Sequence, residues 1–423
     1  GAVLGDFGAS VTRIDRLAAP LPDVLGGGRA GKRSIAVDLR RPAGLAVVQR
    51  LVTTADVLLD PFRPGVLEAM GFAPPTLAGW NRRLIVARLT GYGGAAYGPL
   101  PPPASTTTAA PSTDYRAAAG HDINYVAMSG LLSQMARPGG APPTPPLNLL
   151  GDFGGGSALA LVGILMALVA RSTTGVGSVV DASMTGGTAY LGSLIYNLMA
   201  SGLWPATPFL RPGGAPYYDT YGTADGRHVA VGAIEPQFWD AVVGGLRAAA
   251  EGADAVAGDA ADAAEVAACG QHDDAQWPRL RAALARMFAR RPLAAWERHF
   301  GPGGAFRDAC VTPVLTPAEG AAYAAAPAHA ARSSLLLPAD APVAPFPPAA
   351  PLLTPLDGHG GGGGGGAAPP AGAVLLERGA RATAVLTEAG YSAEEIAALL
   401  ASRVVLQAGG ETPHRSASTA ARL

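Results

Sequence analysis

The chain is poor in cysteine and in charged residues. Its 423 residues include two cysteines, Cys269 and Cys310, and 15% charged residues against 49% apolar ones. Two cysteines cannot build a disulfide scaffold, so a reducing compartment is expected. The net charge of −1 gives no electrostatic reason to expect binding to nucleic acid or to an anionic membrane surface. An anionic ligand must therefore be held by a local cluster of arginine and lysine.

Long apolar runs are also lacking. The longest covers residues 154–170 and ends at Arg171, which is shorter than the ~20 residues that span a bilayer. We therefore expect a buried helix there and no membrane span. No signal peptide is visible in the given sequence, which starts at Gly1 inside an apparent helix, and a targeting segment before it stays open.

Signatures of several enzyme classes are missing. The seven histidines are scattered and no Cys or His pair has ligand spacing, so we expect no metal site. No Gly-x-Ser-x-Gly elbow of a serine hydrolase occurs. Residues 26–32 (GGGRAGK) nearly match a phosphate-binding loop, but Arg33 replaces the Ser or Thr, and a strand is predicted next where that loop needs a helix. A nucleotide-hydrolysing loop is therefore rejected.

Basic residues nevertheless cluster near the start of the chain, at Arg13, Arg16, Arg29, Lys32 and Arg33. Open α/β sheets bind ligands at the ends of their strands. The cluster is therefore either a ligand site or a solvated surface patch, and composition alone leaves both interpretations open.

Strand and helix patterns alternate through the first half of the chain. Strands are predicted at residues 10–15, 34–39, 56–62, 83–89 and 178–184, with helical spacing at 44–54, 154–170 and 186–203. This alternation is typical of an α/β layer with a largely parallel sheet. Further short strands at 213–234 and 310–315, with helices at 237–250 and 277–290, predict a second, smaller domain.

Three segments interrupt this order. Residues 93–120 are rich in Pro, Ala, Ser and Thr and indicate an inserted loop. Residues 360–366 are a glycine linker. Ser392 and Glu395 form a capping box that begins a last helix.

Two stretches place proton-transferring side chains in turn-forming surroundings. Residues 120–125 (GHDINY) contain His121, and residues 148–153 (NLLGDF) contain Asp152. An unperturbed imidazole titrates near neutrality, and a carboxylate is the other common general base. Alone, His121 is more often structural, and Asp152 could equally be the N-cap of the helix that follows. Glu235 lies in an apolar context where its pKa could be raised.

Five long motifs in the correct order resemble the α-methylacyl-CoA racemases of the family III CoA-transferase superfamily. The resemblance covers nearly all of the chain outside residues 94–119 and the tail beyond about 340. Its carriers are residues 119–125 (AGHDINY), 146–156 (PLNLLGDFGGG), 213–221 (GGAPYYDTY), 230–238 (AVGAIEPQF) and 308–315 (DACVTPVL).

The resemblance implies a role for each candidate residue. His121 and Asp152 would be the paired acid and base, and Glu235 a supporting acid near the histidine. The reaction would need no metal and no additional cofactor. CoA would be part of the substrate. Its adenine nucleotide and pantetheine would be held by a larger set: Arg16, Val37, Asp38, Leu39, Arg40, Pro61, Phe62, Arg63, Gly120, Asp122, Ile123, Asn124 and Tyr125.

The implied fold is α/β, with a Rossmann-like large domain and a smaller α+β domain. The large domain would comprise residues 1–182, followed by a linker (183–212), the small domain (213–333) and a C-terminal segment (334–423) that returns to the large domain. The resemblance further implies an interlocked homodimer, and a strand and turn before Gly1.

The implied activity is racemisation of 2-methyl-branched acyl-CoA in branched-chain or sterol side-chain β-oxidation. The tail Ala421-Arg422-Leu423 is a variant of the peroxisomal Ser-Lys-Leu address, so an import receptor is an expected partner and the peroxisome, or else the mitochondrion, the expected location. Two alternatives remain open: a CoA-transferase with Asp152 as nucleophile, and a truncated CoA-thioester-binding protein without catalysis.

Overall fold

A computed structural model describes residues 1–17, 32–94, 114–204, 208–325, 378–379 and 381–408. The chain divides into two compact units. The first consists of Gly1–Ala117, Ala158–Ala182 and Pro317–Leu423, and the second of Ala118–Ser157 and Ser183–Thr316. Residues 183–212, expected to be a linker, contain two helices and belong to the second unit.

Nine strands are described: β1 Thr12–Asp15, β2 Arg33–Val37, β3 Val57–Asp60, β4 Ile85–Thr90, β5 Val179–Ser183, β6 Tyr218–Gly222, β7 His228–Gly232, β8 Val311–Pro313 and β9 Val405–Leu406. The described α-helices are α1 Ala2–Asp6, α2 Pro42–Thr54, α3 Val66–Ala69, α4 Pro74–Trp80, α5 Asp122–Met128, α6 Leu159–Thr174, α7 Met184–Leu191, α8 Ser193–Ala200, α9 Pro236–Glu251, α10 Asp259–Ala268, α11 Trp277–Ala289, α12 Leu293–Phe300, α13 Pro317–Ala325, α14 Ala382–Glu388 and α15 Ala393–Ala401. Short 3₁₀ turns occur at Leu131–Met135, Pro208–Leu210 and Asp274–Gln276.

The first unit contains two three-stranded sheets. In one, β1 and β9 flank β2, parallel and antiparallel to it respectively. In the other, β4 lies between β3, which is parallel to it, and β5. The two central strands are almost wholly buried, as expected for parallel strands covered on both faces. The mixed α/β fold predicted from the sequence is confirmed.

Helix α2 joins the two apolar cores of the first unit. Its Val47 packs in the cluster around β2, α14 and α15, whereas Val48 and Val52 pack in the cluster around β4, α3 and α4. Adjacent helix positions face different directions, so one amphipathic helix can serve both cores. The capping box predicted at the start of α15 is confirmed: the Ser392 hydroxyl accepts from the Glu395 N–H, and the Glu395 carboxylate accepts from the Ser392 N–H.

A buried ion cluster fixes the end of β3. Arg88 of β4 is fully buried and donates to Asp60 (3.2 Å) and to both carboxylate oxygens of Glu68 (2.7 and 3.1 Å). The other oxygen of Asp60 accepts from the Phe62 N–H at 3.0 Å. Burial raises the pKa of Asp60, and the charge of Arg88 opposes that rise. Because a buried charge is tolerated only when it is paired, the cluster determines where the loop after β3 begins.

The second unit is built on an antiparallel sheet, β6–β7–β8, and on helices α9 to α12. Its core is aromatic. The rings of Phe288 and Trp296 lie 4.9 Å apart, edge to face, and the Trp296 indole N–H donates to the Phe288 carbonyl at 3.0 Å. Such pairs are rigid and satisfy the polar end of the tryptophan. The smaller domain predicted from residues 213 onward therefore has its own core.

The apolar run at 154–170 is not buried in the single chain, contrary to expectation. It lies in one continuous helical stretch, Leu149–Thr174, which is long and apolar enough to cross a membrane, although only 28% of its most apolar window is buried. One such helix is weak evidence for a span, because core helices of globular proteins pass the same test. On α6 the exposed apolar side chains are Val162, Leu165, Met166 and Val169.

Several predicted segments lie outside the described residues: the phosphate-loop-like segment at 26–31, the linker at 360–366 and the tail at 421–423. Most of the insertion at 93–120 also lies outside the described residues, but the segments at its two ends are described and contact each other. The rings of Tyr92 and Tyr115 lie 5.6 Å apart, so the loop leaves and re-enters the first unit at nearly the same place. Peroxisomal import stays a prediction, which localisation of a fluorescent fusion carrying the tail would test.

Candidate active site

His121 stands immediately before helix α5, as its N-cap residue. Its backbone N–H donates to the side-chain oxygen of Asn124 at 3.1 Å, and the Tyr125 hydroxyl donates to the Gly120 carbonyl at 2.5 Å. These two local bonds fix the turn, since both bridge the residues before the helix to its first turns. The His121 side chain is exposed, so a substrate can reach the imidazole.

Asp152 lies inside a helical segment. Residues Leu149–Ala158 wind as a π-helix that continues directly into α6. The expectation that Asp152 could be an N-cap is therefore wrong, because the helix begins three residues earlier. A π-helix is rare and is frequent at functional sites. Here its wider turns coincide with four glycines at 151 and 154–156, which bring no side chains into the segment.

The carboxylate of Asp122 joins the two stretches. It is 1% exposed, and its Oδ2 accepts from the backbone N–H groups of Gly151 (2.8 Å) and Asp152 (2.7 Å). Asp122 follows His121 directly in the chain. This buried carboxylate therefore ties the backbone of Asp152, one candidate base, to the residue that follows His121, the other candidate base. The side chain faces the protein interior, so a contact of Asp122 with CoA would be made by its backbone, and that contact stays a prediction.

Glycines allow the π-helix to approach its neighbours closely. A Cβ at Gly151 would lie 2.8 Å from Asp122 Oδ2, and one at Gly155 would lie 2.4 Å from the Thr188 nitrogen. In return, a Cβ at Gly187 of α7 would lie 1.9 Å from the Gly155 carbonyl oxygen. These separations are far below van der Waals contact, so backbone packs on backbone. The position of Asp152 is thus set from two sides, by α5 and by α7.

The electrostatic surroundings of Asp152 favour its protonated form. Burial raises the pKa of its carboxyl group, and the negative charge of Asp122 raises that pKa further, whereas His121 lowers it. A carboxyl group with a raised pKa can donate a proton at a higher pH than an exposed aspartic acid.

Glu235 precedes helix α9 and is exposed. Among the described residues of the single chain, no hydrogen bond joins it to His121. Its negative charge instead acts on Cys310, whose thiol pKa is raised first by burial and then by Glu235. The predicted supporting role of Glu235 stays a prediction.

Cys310 is the first residue of the strand predicted at 310–315, but in the structure it is exposed, has φ of 52° and precedes β8. It is Cys269 that is buried. A raised pKa leaves the thiol protonated near neutrality, which makes Cys310 a poor nucleophile.

The predicted CoA residues of the first unit lie at or just after the ends of β1, β2 and β3. Arg16, Arg40 and Arg63 are exposed. The Arg40 side chain is paired with Asp38 at 2.9 Å and remains 87% exposed. Phe62 is 38% exposed on the loop that Asp60 orders. Val37 is 2% exposed in the core, so its side chain is not available to a ligand, and a contact of its backbone with CoA stays a prediction.

The described basic residues near the start are mostly committed to partners. Arg33 bonds to Glu388 and to the hydroxyls of Ser10 and Thr12, and Arg13 pairs with Asp15 at 2.9 Å. Neither guanidinium is therefore a simple solvated charge. Of the five clustered residues, Arg29 lies outside the described part, and Arg16 offers an exposed side chain.

The contribution of Asp122, Asp60 and Arg88 was not recognised from the sequence. Asp122 was assigned to the ligand, and Arg88 and Asp60 were counted only as strand residues. The partners of Asp122 lie 29 and 30 positions away, a separation at which sequence patterns carry no contact information. An acidic residue at the start of a helix was the one local signal, and a role at the helix terminus would have explained it equally well.

Among the described residues, no group of three His, Cys, Asp or Glu side chains could hold a metal ion. The geometry supports acid–base chemistry at one place, where Asp122 joins the backbone segments that carry an exposed imidazole and a half-buried carboxyl group. The backbone N–H groups of Asp122 and Ile123, as the first of α5, have no acceptor within the helix. They can stabilise a developing negative charge on a substrate oxygen.

Comparison with known proteins places the chain among CoA enzymes. The sequence model of the family described as CoA-transferase family III matches residues 1–349 of this chain. The chain is 39% identical over 407 residues to the alpha-methylacyl-CoA racemase of Mus musculus, covering 96% of this chain and 92% of the relative. It is 43% identical over 316 residues to the racemase of the same name from Homo sapiens, covering 74% and 72%. A CAIB/BAIF family protein from Brucella suis shares the fold, with a TM-score of 0.61 at 21% identity over 92% of this chain and 94% of that one.

The close packing of α7 on the π-helix predicts that alanine at two adjacent glycines, Gly186 and Gly187, changes the free energy of unfolding very differently. Gly187→Ala forces a Cβ into the Gly155 carbonyl, so we expect a loss of about 1–3 kcal/mol in the free energy of unfolding. Gly186→Ala is the matched control: its Cβ meets nothing nearer than the Ser183 hydroxyl at 3.4 Å, and alanine favours a helix by about 1 kcal/mol. Urea unfolding measures both. Equal stability of the two variants would contradict the packing.

Proposed function

Because the chain belongs to CoA-transferase family III, we propose that it interconverts the (R) and (S) forms of 2-methyl-branched acyl-CoA thioesters. The observation that carries this proposal is the joint at Asp122, whose buried carboxylate ties the backbone of Asp152 to the residue that follows His121. Racemisation needs such a pair, since one group must remove the α-proton and the other must return a proton to the opposite face.

The proposed reaction moves one proton in each half. Neutral His121 takes the α-proton of the (S)-thioester, and the electron pair of the broken C–H bond moves onto the thioester oxygen as an enolate. Backbone N–H groups at the start of α5 stabilise that oxyanion. Protonated Asp152 then gives its proton to the other face, and the (R)-thioester forms. In the reverse direction the Asp152 carboxylate removes the α-proton of the (R)-thioester and the imidazolium of His121 gives a proton to the other face, which leaves Asp152 protonated and His121 neutral.

The raised pKa of Asp152 supports this assignment. A carboxylic acid with an ordinary pKa is almost fully ionised at neutral pH and has no proton to give. Burial and the neighbouring Asp122 increase the protonated fraction, which brings the acidity of Asp152 closer to that of an imidazole. In each direction of the reaction, one of the two residues can then act as the base on one face of the α-carbon and the other as the acid on the opposite face.

CoA itself is proposed to be held by Arg16, Arg40 and Arg63. Their guanidinium groups are exposed at the ends of strands in the first unit, and guanidinium binds phosphate oxygens bidentately. The ordered loop at Pro61 and Phe62 would support the nucleotide, and residues 120–125 the pantetheine and thioester. Arg63 has no bond to another described side chain, which leaves its five donors available.

Replacement of Arg63 tests the CoA assignment. Since the guanidinium would contact a part of the substrate remote from the α-carbon, Arg63→Ala should raise KM by about tenfold or more with kcat much less affected. Arg82→Ala removes another exposed arginine of the same unit and should leave both constants unchanged. A collapsed kcat at unchanged KM would show that Arg63 acts on the chemistry instead.

We also propose a homodimer formed through α6. Val162, Leu165, Met166 and Val169 are spaced as one helix face, and between 43% and 70% of each side chain is exposed. Contiguous apolar surface of this kind marks an interface more often than a solvated helix.

Charge placed on this face should prevent association. Met166→Glu and Val169→Glu should be monomeric in sedimentation velocity, at concentrations where the wild type is a dimer. Val256→Glu, on an exposed valine of the second unit, is the control and should remain dimeric. A monomeric wild type would refute the proposal, and association with detergent or lipid alone would assign the face to a membrane.

Deuterium exchange tests the two-base mechanism. In ²H₂O, His121→Ala and Asp152→Ala should each lose conversion between enantiomers by a factor on the order of 10² or more, because inversion needs both groups. Each variant should still exchange the α-proton of one enantiomer, (R) for His121→Ala and (S) for Asp152→Ala, since the surviving base acts on one face. Mass spectrometry of each pure enantiomer measures this.

The alternatives give different results in the same experiment. Near-wild-type racemisation by His121→Ala would contradict the two-base mechanism. An acyl-aspartate at Asp152 that hydroxylamine traps would identify a CoA-transferase. Binding of CoA thioester by the wild type with no exchange of the α-proton would identify a binding protein without catalysis.

A further inference from the structure

Asp122 has one more feature that the bonds to Gly151 and Asp152 do not explain. Both backbone N–H groups use the same oxygen, Oδ2. The other oxygen, Oδ1, is buried and has no hydrogen-bond partner. A buried carboxylate oxygen without a hydrogen-bond partner destabilises the folded protein. A neutral side chain could accept both N–H bonds at lower cost, so the acidic residue is not needed for the bonds alone.

We propose that Asp122 is a positioning residue for proton transfer, whose buried carboxylate both holds the backbone at Asp152 and places a negative charge beside the Asp152 side chain. This inference rests on the proposed racemisation. It assigns two separable effects to one group: a geometric one, through the two N–H bonds, and an electrostatic one, through the charge.

The geometric effect follows from the surroundings of the joint. Gly151 packs so closely on Asp122 that a Cβ would lie 2.8 Å from Oδ2 and 3.1 Å from the Asp122 carbonyl oxygen. The π-helix therefore cannot slide toward α5, and the N–H bonds prevent it from moving away. His121 is the residue before Asp122, so the spacing between the two candidate bases depends on this contact.

The electrostatic effect has few competitors. The ionisable groups that act on Asp152 are His121 and Asp122, and they act in opposite directions. Helix α7, which packs against the π-helix at Gly155, presents Gly187 and Thr188 there, neither of which is ionisable. The 3₁₀ turn Leu131–Met135, which packs against α5, has no ionisable side chain. Loss of the Asp122 charge should therefore lower the pKa of Asp152 with no second group to compensate.

The experiment separates the two effects with two substitutions. Asp122→Asn keeps an oxygen that accepts both N–H bonds and loses the charge, whereas Asp122→Ala loses both. For Asp122→Asn we expect exchange of the (R)-thioester to stay within about tenfold of wild type. The acidic limb of its kcat/KM profile should move to lower pH by on the order of 1 unit, as expected when a neighbouring charge is lost. Asp122→Ala should show the same shift and a further loss of about 10²-fold, because the base is misplaced.

A direct titration makes the result independent of activity. The ¹³C carboxyl resonance of Asp152, assigned with Asp152→Asn, should titrate at lower pH in Asp122→Asn than in wild type. Asp240→Asn, which removes an exposed carboxylate on α9, should leave both the profile and the titration unchanged. If the wild type exchanges no α-proton, the proposed function fails, while the titration still decides the effect of Asp122.

Three results would overturn the inference. An Asp152 titration that is the same in Asp122→Asn and wild type would exclude the electrostatic effect. Exchange by Asp122→Ala at the rate of Asp122→Asn would exclude the geometric effect. A fall in rate of both variants with no movement of the pH profile would assign Asp122 a purely structural role.

Discussion

The structure of the candidate site depends on one buried carboxylate. Asp122 accepts from the backbone N–H groups of Gly151 and Asp152 and follows His121 directly in the chain. It therefore connects the start of α5 with the π-helix, two segments that are separated by a proline-rich loop. A hydrogen bond between a charged acceptor and a backbone N–H is among the stronger ones in proteins. This bond ties the backbone at Asp152 to α5, and the packing of α7 on the π-helix holds the segment from the other side.

Glycine makes this arrangement possible, because the parts that carry the site are in backbone contact. Gly151 allows α5 to approach the π-helix, and Gly155 with Gly187 allows α7 to do the same from the other side. Any side chain at these positions would push the elements apart by an ångström or more. The GGG motif at residues 154–156 belongs to the family resemblance. It allows the segment that carries Asp152 to be held by packing on two faces.

Charge is used sparingly and locally in both units. With a net charge of −1, the chain has no global field, and its buried charges are paired or hydrogen-bonded. Arg88 with Asp60 and Glu68 orders the loop at Phe62 in the first unit, as Asp122 orders Asp152 in the second. In each case a buried charge specifies the backbone of a short segment, and that segment, not the charge itself, is available to a ligand. This division explains why the residues that build the site differ from those proposed to contact the substrate.

The sequence determined most of the helices and strands, and it singled out His121 and Asp152 as the candidate bases. Alternating apolar residues predicted β1 to β5, helical spacing predicted α2 and α9, and the Ser392 capping box predicted the start of α15, because these signals are local. Only the tertiary structure decided the rest. The carboxylate of Asp122 lies 29 residues from Gly151, so its contact is invisible to any local pattern. The exposure of Cys310, the burial of Val37 and the uncovered apolar face of α6 likewise depend on which surfaces meet when distant segments pack, and composition and periodicity do not encode that.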